Sequence, residues 1–393
     1  MRNRKRLIWI LTAVLMVIPV CCLCSCGDKS AEEDAPAAVQ ETTPARDYSK
    51  VWEMGGPEEM PLNAEEYHKT WDDLVDEGMV ERTLLGYPSN GDESYPVYLY
   101  HMDINESYVD EHYNVQDGEL YERPKILVTS GFHGAEKAAP VFLNNLIHDM
   151  KEDPEFAEIA VKFEWDIIPL VNPWGYSHSM LKNGVLQNGF EHDSLRGYDI
   201  VENGEYNQGI RLNADGLDIN RDWYDSAGGC PSEEAKLVRE VFVNGDYDIV
   251  LDLHETQNDK ACGFASMQMK PDYISEKEYE ADSAAFYEAV SQAGIVTDKL
   301  INKLYGLDED HQATYPWDGS DHATFRNYTA GYTNGGERKI DHNNKPKYSI
   351  CVEVSIYCGD YAGDSAGTSF NEASNTYGNT FLHYFVKQLD GLL

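Results

Sequence analysis

The sequence is short of basic residues. Its 31 lysines and arginines stand against 69 aspartates and glutamates, which gives a formal net charge of −38 over 393 residues. This charge excludes a nucleic-acid-binding protein of the usual basic kind, and it excludes attachment to anionic lipids through a basic patch. We therefore expect no nucleic-acid partner. The acidity fits a well-solvated surface and says little about chemistry.

The chain also lacks visible internal repeats, which argues against a solenoid. Beyond its first 26 residues it has no Cys-x-x-Cys pair, so a cysteine zinc site is not expected. Four cysteines lie in that second part of the chain: Cys230, Cys262, Cys351 and Cys358. An exported protein can form disulfides, but the sequence leaves the pairing of these four open.

A long apolar run, from Leu7 to Cys24, follows a basic start. This pattern predicts a secretory signal rather than a lasting membrane helix. The letters LCSC, in which Leu23 precedes small residues and Cys26, resemble a bacterial lipobox. That resemblance implies cleavage before Cys26 and a lipid on its thiol, which would hold the exported protein on the outer face of a bacterial cell membrane. The alternatives are an ordinary signal peptide or an uncleaved anchor.

The domain organisation predicted from composition has three parts. Residues 1–26 form the lipoprotein-type signal. Residues 27–55 are rich in small, acidic and proline residues and cannot bury enough apolar surface to fold, so we interpret them as a flexible acidic tether. Residues 56–393 can bury a full core and form one catalytic domain, which we expect to be a monomer.

Four short apolar runs predict the strands of this domain. Each is nearly continuous rather than alternating, which is typical of strands buried on both faces of a sheet. They lie at 125–132, 165–172, 247–254 and 348–357. Helical patterns at 136–153, 231–244 and 276–293 and in the C-terminal tail separate or follow them. The fold class is therefore α/β, a central mixed and largely parallel twisted sheet flanked by helices. Residues 176–216 and 327–347 are predicted to be long loops.

Ligands of open α/β sheets bind beyond the carboxyl ends of the strands. The first predicted strand ends at His133 and Glu136, the third at His254, and the fourth carries Glu353. Two imidazoles and one carboxylate with an open fourth position form a catalytic zinc set, and a further carboxylate could take a proton from a bound water. The flanking Gly131 and Gly134 permit tight turns, and we expect them to make room for a metal and the bond it cuts.

The His-x-x-Glu spacing is weak by itself. With 12 histidines and 69 acidic residues in 393, about two His-x-x-acid matches are expected by chance. Its place directly after a buried strand is the informative feature. The segment RLNADGLDINRDW adds Arg211 and Arg221, which suggest recognition of a carboxylate because guanidinium binds that group with two hydrogen bonds. The alternative is a loop whose arginines pair with the many acidic residues.

Five motifs in one order resemble zinc metallocarboxypeptidases of the pancreatic carboxypeptidase type. They are GFHGAE, PLVNPWGY, RLNADGLDINRDW, DLHE and CVEV. The resemblance implies that one zinc ion binds to His133, Glu136 and His254, and that Glu353 is the general base and acid. It further implies an oxyanion-stabilising, a substrate-binding and a ligand-orienting role for other residues. Arg211 would stabilise the oxyanion, and Asp218 would accept the other N–H of His133. Asn220 and Arg221 would hold the terminal carboxylate of the substrate, and Tyr315 would cap the substrate.

The resemblance predicts an extracellular zinc carboxypeptidase that cuts a peptide or amide bond next to a free carboxylate. The predicted location makes peptides of the cell wall, muropeptides, a plausible substrate. The chain departs from the family pattern at Trp174 and Asp222, which puts the substrate in question more than the reaction. Asp321 follows a Gly-Ser pair. It either lines the side-chain pocket, favouring a basic group, or matches the next family position outside that pocket.

Two alternatives compete with this function. The first is a zinc deacylase of the aspartoacylase and succinylglutamate desuccinylase kind, which shares the sheet and a similar metal set. The second is a lipoprotein that binds a solute or wall fragment without catalysis. A missing ligand or base would favour the second alternative, and every expected residue is present in this sequence.

Overall fold

The computed structural model describes twelve parts of the chain, all in the compact unit Asp47–Leu393. They are residues 63–102, 123–179, 181–182, 185–186, 211–221, 223, 232–255, 263–267, 274–297, 324–331, 343–354 and 372–393. The predicted signal and tether, residues 1–55, lie outside them. Among the described helices, none combines the length and the hydropathy needed to cross a membrane.

The strands of the described residues form one large sheet and a small ladder. In chain order they are β1 Glu81–Gly86, β2 Val97–Met102, β3 Lys125–Ser130, β4 Glu164–Ile168, β5 Leu181–Lys182, β6 Val185–Leu186, β7 Ile249–Glu255, β8 Gly263–Met267 and β9 Tyr348–Val354. Seven of them make a sheet in the order β1-β2-β4-β3-β7-β9-β8, and β5 pairs with β6.

The four apolar runs form the centre of the large sheet, as predicted. Strands β4, β3, β7 and β9 are neighbours and pair in parallel. The strands outside this centre are antiparallel to their neighbours, so the sheet is mixed with a parallel core. Every residue of β7 is buried, which is the reason that its sequence is nearly continuous in apolar residues.

Helices connect and cover these strands. In chain order they are α1 Ala64–Lys69, α2 Asp72–Asp76, α3 Ala138–Glu152, α4 Pro154–Lys162, α5 Pro173–His178, α6 Glu233–Asn244, α7 Glu276–Thr297, α8 Phe325–Thr329 and α9 Glu372–Lys387. The hydroxyl of Ser232 accepts a hydrogen bond from Ala235 N and caps the amino end of α6. Short helical turns follow at Ile219–Arg221 and Leu389–Leu392.

The core consists of two apolar clusters on the two faces of the sheet. On one face, side chains of α3, α7 and α9 pack on alternate strand residues such as Ile249, Leu251 and Leu253. On the other face, α6 and α8 pack on residues of opposite parity such as Val250. This two-residue alternation assigns each strand side chain to one face. Helices on both faces of one sheet give the predicted α/β architecture.

Two predicted loop regions contain short regular elements. The region 176–216 includes the end of α5 and the ladder of β5 with β6. The region 327–347 begins inside α8. These elements are at most six residues long, so they leave little periodic signal in the sequence.

Gly131 and Gly134, which follow β3, are required by the conformation and close packing of the backbone. This corrects our expectation that they make room for a metal and the bond it cuts. Gly131 has φ +66°, a left-handed conformation that L side chains rarely adopt. At Gly134 the space that a Cβ would fill belongs to the backbone of Gly175, not to a metal or a substrate. The loop carrying His133 therefore packs tightly against the start of α5.

We predict that Gly134→Ala destabilises the protein by at least the ~1–3 kcal/mol typical of an overpacked interior. The added Cβ would lie 2.0 Å from the carbonyl carbon of Gly175, so backbone must move. The control is Gly391→Ala, because a Cβ at Gly391 meets nothing within 4 Å. Urea denaturation measures both variants, and equal midpoints would contradict this packing argument.

Candidate active site

The predicted metal ligands lie together at the carboxyl ends of the central strands. His133 and Glu136 occupy the turn between β3 and α3, and His254 is the second-last residue of β7. Their ligand atoms all lie within 4.8 Å of one another, and all three residues are buried. Glu136 and His254 are separated by 118 residues in the chain. The adjacent parallel positions of β3 and β7 bring them together.

Both imidazoles contact the same carboxylate, that of Glu136. His133 Nδ1 lies 2.6 Å from Glu136 Oε1, and His254 Nδ1 lies 2.8 Å from Glu136 Oε2. The backbone N–H of Glu255 also donates to Glu136 Oε2, at 3.2 Å. The Nδ1 atoms of both histidines therefore point at the same place.

The outer nitrogen of each histidine also faces a carboxylate. His133 Nε2 lies 3.1 Å from Asp218 Oδ1, and His254 Nε2 lies 3.0 Å from Asp252 Oδ2. A neutral imidazole has one N–H, and an acceptor at Nε2 places that N–H there and leaves a lone pair on Nδ1. The contact of His133 with Asp218 has the geometry predicted from the sequence.

These contacts fit a divalent cation. Two Nδ1 lone pairs and an ionised carboxylate would repel one another in a buried site unless positive charge lies between them. Burial lowers the pKa of His254, but Asp252 and Glu136 outweigh burial and raise this pKa well above its ordinary value. The site thus attracts positive charge, as a proton or as a metal. Two histidines and one glutamate are a zinc ligand set with an open fourth position.

Glu353 lies beside these ligands. It is in register with His254 on the neighbouring parallel strand β9, so both side chains point to the same face of the sheet. The Cys351 thiol lies 3.7 Å from Glu353 Oε1. Burial is the largest cause that raises the pKa of the Glu353 carboxyl above its ordinary value, and Glu136 raises it further.

Arg211 also borders the ligand group. Its Nε donates to Asp218 Oδ2 at 2.7 Å, and its Nη1 lies 3.6 Å from Glu136 Oε1. Burial raises the pKa of Asp218, but His133 and then Arg211 outweigh burial and hold it well below its usual range. Asp218 therefore links a predicted metal ligand to the predicted oxyanion-stabilising residue.

The two residues predicted to hold the substrate's carboxylate follow on the turn Ile219–Arg221. Asn220 is buried: its Nδ2 lies 2.8 Å from His254 Nε2, and its Oδ1 accepts a hydrogen bond from Phe325 N. Arg221 is exposed, and its Nη1 donates to Asn220 O at 3.2 Å. Asn220 thus contacts a predicted ligand and Arg221 contacts Asn220, and their roles toward a substrate stay predictions.

Other predicted features lie outside the described residues. Tyr315, Asp321 and Asp222 are among them. So are Cys230, Cys262 and Cys358, whereas Cys351 is a buried free thiol. The disulfide state of those three cysteines stays open.

Sequence reasoning missed two acidic residues of the site, Asp252 and Glu255. Asp252 precedes His254 by two residues on β7, so both side chains share one face of the sheet. A polar pair at this spacing inside a buried apolar strand was the available signal. Glu255 Oε2 accepts a hydrogen bond from Ala138 N at the start of α3. Nothing in the local sequence indicates that contact, because 117 residues separate its partners.

Residues 102–255 match the family model described as zinc carboxypeptidase. The predicted family resemblance is confirmed. The matched part contains the predicted ligands His133, Glu136 and His254 and also Arg211, whereas Glu353 lies after it. Carboxypeptidase B of Helicoverpa zea is 33% identical to this chain over 57 residues, which are 14% of this chain and 13% of that enzyme. The chain thus spans about an eighth of the curated relative that it matches.

Solved structures show the same fold. The metallo-carboxypeptidase of Burkholderia cenocepacia aligns with a TM-score of 0.51 at 17% identity, covering 84% of this chain and 70% of that one. The metallo-carboxypeptidase of Pseudomonas aeruginosa, in complex with (2-guanidinoethylmercapto)succinic acid, aligns with a TM-score of 0.51 at 17% identity and covers 84% and 69%. The predicted carboxypeptidase-like architecture is therefore confirmed.

We predict that the full-length protein binds one zinc ion per chain and that His254→Ala abolishes this binding, because one of its three ligands is lost. Zinc at 100 times its Kd should raise the free energy of unfolding by about 2.7 kcal/mol, and chelation should reverse this gain. Metal analysis after dialysis and thermal unfolding measure both effects. The control is His148→Ala on α3, whose ring contacts Asp73 instead. Equal zinc content in the two variants would contradict the ligand assignment.

Proposed function

We propose that this chain is an extracellular zinc-dependent carboxypeptidase that hydrolyses a peptide or amide bond next to a free carboxylate. The observation that carries this proposal is the buried group of His133, Glu136 and His254, with Glu353 in register beside His254. Arg211 borders the same group. The match of residues 102–255 to the zinc carboxypeptidase family supports this reaction class.

Bound zinc supplies a Lewis acid that polarises the scissile carbonyl and lowers the pKa of a water molecule toward ~7. Glu353 then takes the proton from the attacking water and passes it to the leaving amine. Its position on β9 suits both transfers, because the strand places the carboxylate on the ligand side of the sheet.

Arg211 and the turn after Asp218 orient the substrate. Arg211 borders the ligand group, with Nη1 3.6 Å from Glu136 Oε1, and stabilises the negative charge that develops on the carbonyl oxygen. Asn220 and Arg221 hold the terminal carboxylate, which restricts the reaction to the end of a chain. Asp218 fixes the Arg211 guanidinium through its Nε atom, so that its Nη1 points toward the ligands.

The substrate class follows from location in this proposal. A lipid on Cys26 would hold the enzyme on the outer face of a bacterial membrane, where muropeptides carry free carboxylates. The signal-like start and the LCSC sequence support this location. If Asp321 faces the side-chain pocket, it favours a basic C-terminal group such as the amino end of a diamino acid.

We predict that Glu353→Gln keeps its zinc and lowers kcat by about 10²–10⁴, the range of general acid–base catalysis. The amide has nearly the same shape but cannot accept the proton. Steady-state kinetics and metal analysis measure the two properties separately. The control is Glu164→Gln at the amino end of β4, where the carboxylate contacts Lys125 far from the ligands. Unchanged turnover in Glu353→Gln would contradict the base assignment.

Arg211→Met should lower kcat by about 10²–10³, the loss seen when one oxyanion donor is removed. Its zinc content should stay at one ion per chain, because Arg211 is not a ligand. Single-turnover kinetics on a short peptide measure the chemical step. A variant in which KM rises and kcat stays constant would assign Arg211 to ground-state binding instead.

A panel of peptides, muropeptides and N-acyl amino acids tests the reaction itself. We expect loss of one C-terminal residue, read by mass, and no loss when the C-terminus is amidated. Faster release of an acyl group from N-acyl amino acids would favour the deacylase, and no turnover with a zinc-loaded protein would favour the binding lipoprotein.

A further inference from the structure

The carboxylates that contact Nε2 of the two histidines differ in burial and in their other contacts. Asp218, behind His133, has a side chain 20% exposed and gives its second oxygen to Arg211. Asp252, behind His254, has a side chain 1% exposed. Its second oxygen, Oδ1, lies 3.1 Å from the hydroxyl of Thr129, which is fully buried.

The Asp252 contacts lie in the parallel centre of the sheet. Thr129 on β3 is the register partner of Asp252 on β7, and both strands are inside the parallel centre of the sheet. The Thr129 hydroxyl also lies 3.4 Å from Leu251 O. Because Asp252 and His254 share one strand and one face, the pairing of β3 with β7 places Thr129, Asp252 and His254 Nε2 in one line of contacts.

We propose that Asp252 is a positioning residue that sets how tightly this chain retains its metal. His254 Nε2 meets two groups: Asp252 Oδ2 at 3.0 Å and the amide Nδ2 of Asn220 at 2.8 Å. The carboxylate is the stronger hydrogen-bond partner of the two, so it draws the single imidazole N–H to Nε2. Accepting that N–H, Asp252 fixes the tautomer in which Nδ1 of His254 is the ligand atom, and it raises the basicity of that atom. Thr129 holds Asp252 in this orientation. The inference rests on the metal site of the proposed function but not on peptide hydrolysis. Asp218 shares its charge with Arg211 and with solvent, so its contribution to metal retention is smaller.

The test is the zinc dissociation constant of the full-length protein, measured by competition with a chromogenic chelator. Asp252→Asn should raise this constant by about 10–100-fold, the usual cost of losing such an outer partner. Asp218→Asn should raise it less. The visible spectrum of the cobalt-substituted protein should also change in Asp252→Asn, since the orientation of one ligand ring changes.

The chain offers a matched control. Asp149 Oδ2 lies 2.9 Å from His383 Nε2, and this buried pair joins α3 to α9 away from the ligands. Asp149→Asn removes the same kind of contact, so it should lower the stability of the fold and leave the zinc dissociation constant unchanged. If Asp252→Asn acted only through a general loss of packing, Asp149→Asn would raise the zinc dissociation constant by a similar factor.

Asp252→Asn that folds and binds zinc as tightly as the wild-type protein overturns the proposal. If this variant does not fold, Thr129→Val decides: a raised zinc dissociation constant supports the proposal, and an unchanged one overturns it. Zinc binding is measured without substrate. A protein that needs Asp252 for tight zinc binding but cleaves no peptide would therefore support this inference and contradict the proposed function.

Discussion

Two imidazoles contact one buried carboxylate, and this arrangement requires a positive charge in the interior of the protein. Both oxygens of Glu136 are committed to histidine nitrogens, at 2.6 and 2.8 Å. Further carboxylates, Asp218 and Asp252, stand behind those histidines. Burying so much negative charge is unfavourable unless a cation compensates it. The surrounding fold can therefore be understood as the scaffold that makes one point in the interior suitable for a divalent ion.

The sheet produces this cation-binding point because alternate side chains of each strand face opposite sides of the sheet. Along β7, Ile249, Leu251 and Leu253 face the apolar cluster under α3, α7 and α9, whereas Asp252 and His254 point to the opposite face. Strand β9 repeats this arrangement with Cys351 and Glu353, each in register with a polar residue of β7. One face of the strands thus supplies the core, and the carboxyl end of the other face supplies the chemistry. The same residues cannot exchange these roles without a one-residue slip of the register.

The parallel centre of the sheet could be predicted because burial on both faces leaves long apolar runs in the sequence. Strands β1, β2 and β8 could not, since β1 is largely exposed and all three pair antiparallel outside that centre. The ligands were predicted from strand ends together with the order of five motifs, because a single His-x-x-Glu match is no more than chance provides. Contacts such as Glu255 with Ala138 join residues far apart in the chain, so they leave no local pattern.

Hydrogen bonds of the Asn172 side chain connect the segments around the predicted ligands. Its Nδ2 lies 3.3 Å from Phe132 O and 3.0 Å from Leu212 O, and its Oδ1 accepts a hydrogen bond from Gly175 N. One side chain therefore ties the loop after β3, the start of α5 and the segment of Arg211 and Asp218 to each other.

This anchor also explains why the departure from the family pattern at Trp174 does not disturb the ligands. The anchoring atoms belong to Asn172 and to backbone, while the Trp174 ring stacks on His178 with centroids 4.3 Å apart. Trp174 is half-buried, and its stacking partner lies one turn along the same short helix. A change of residue type at this position therefore alters the surface of α5 without changing the hydrogen bonds that support the segments of the predicted ligands.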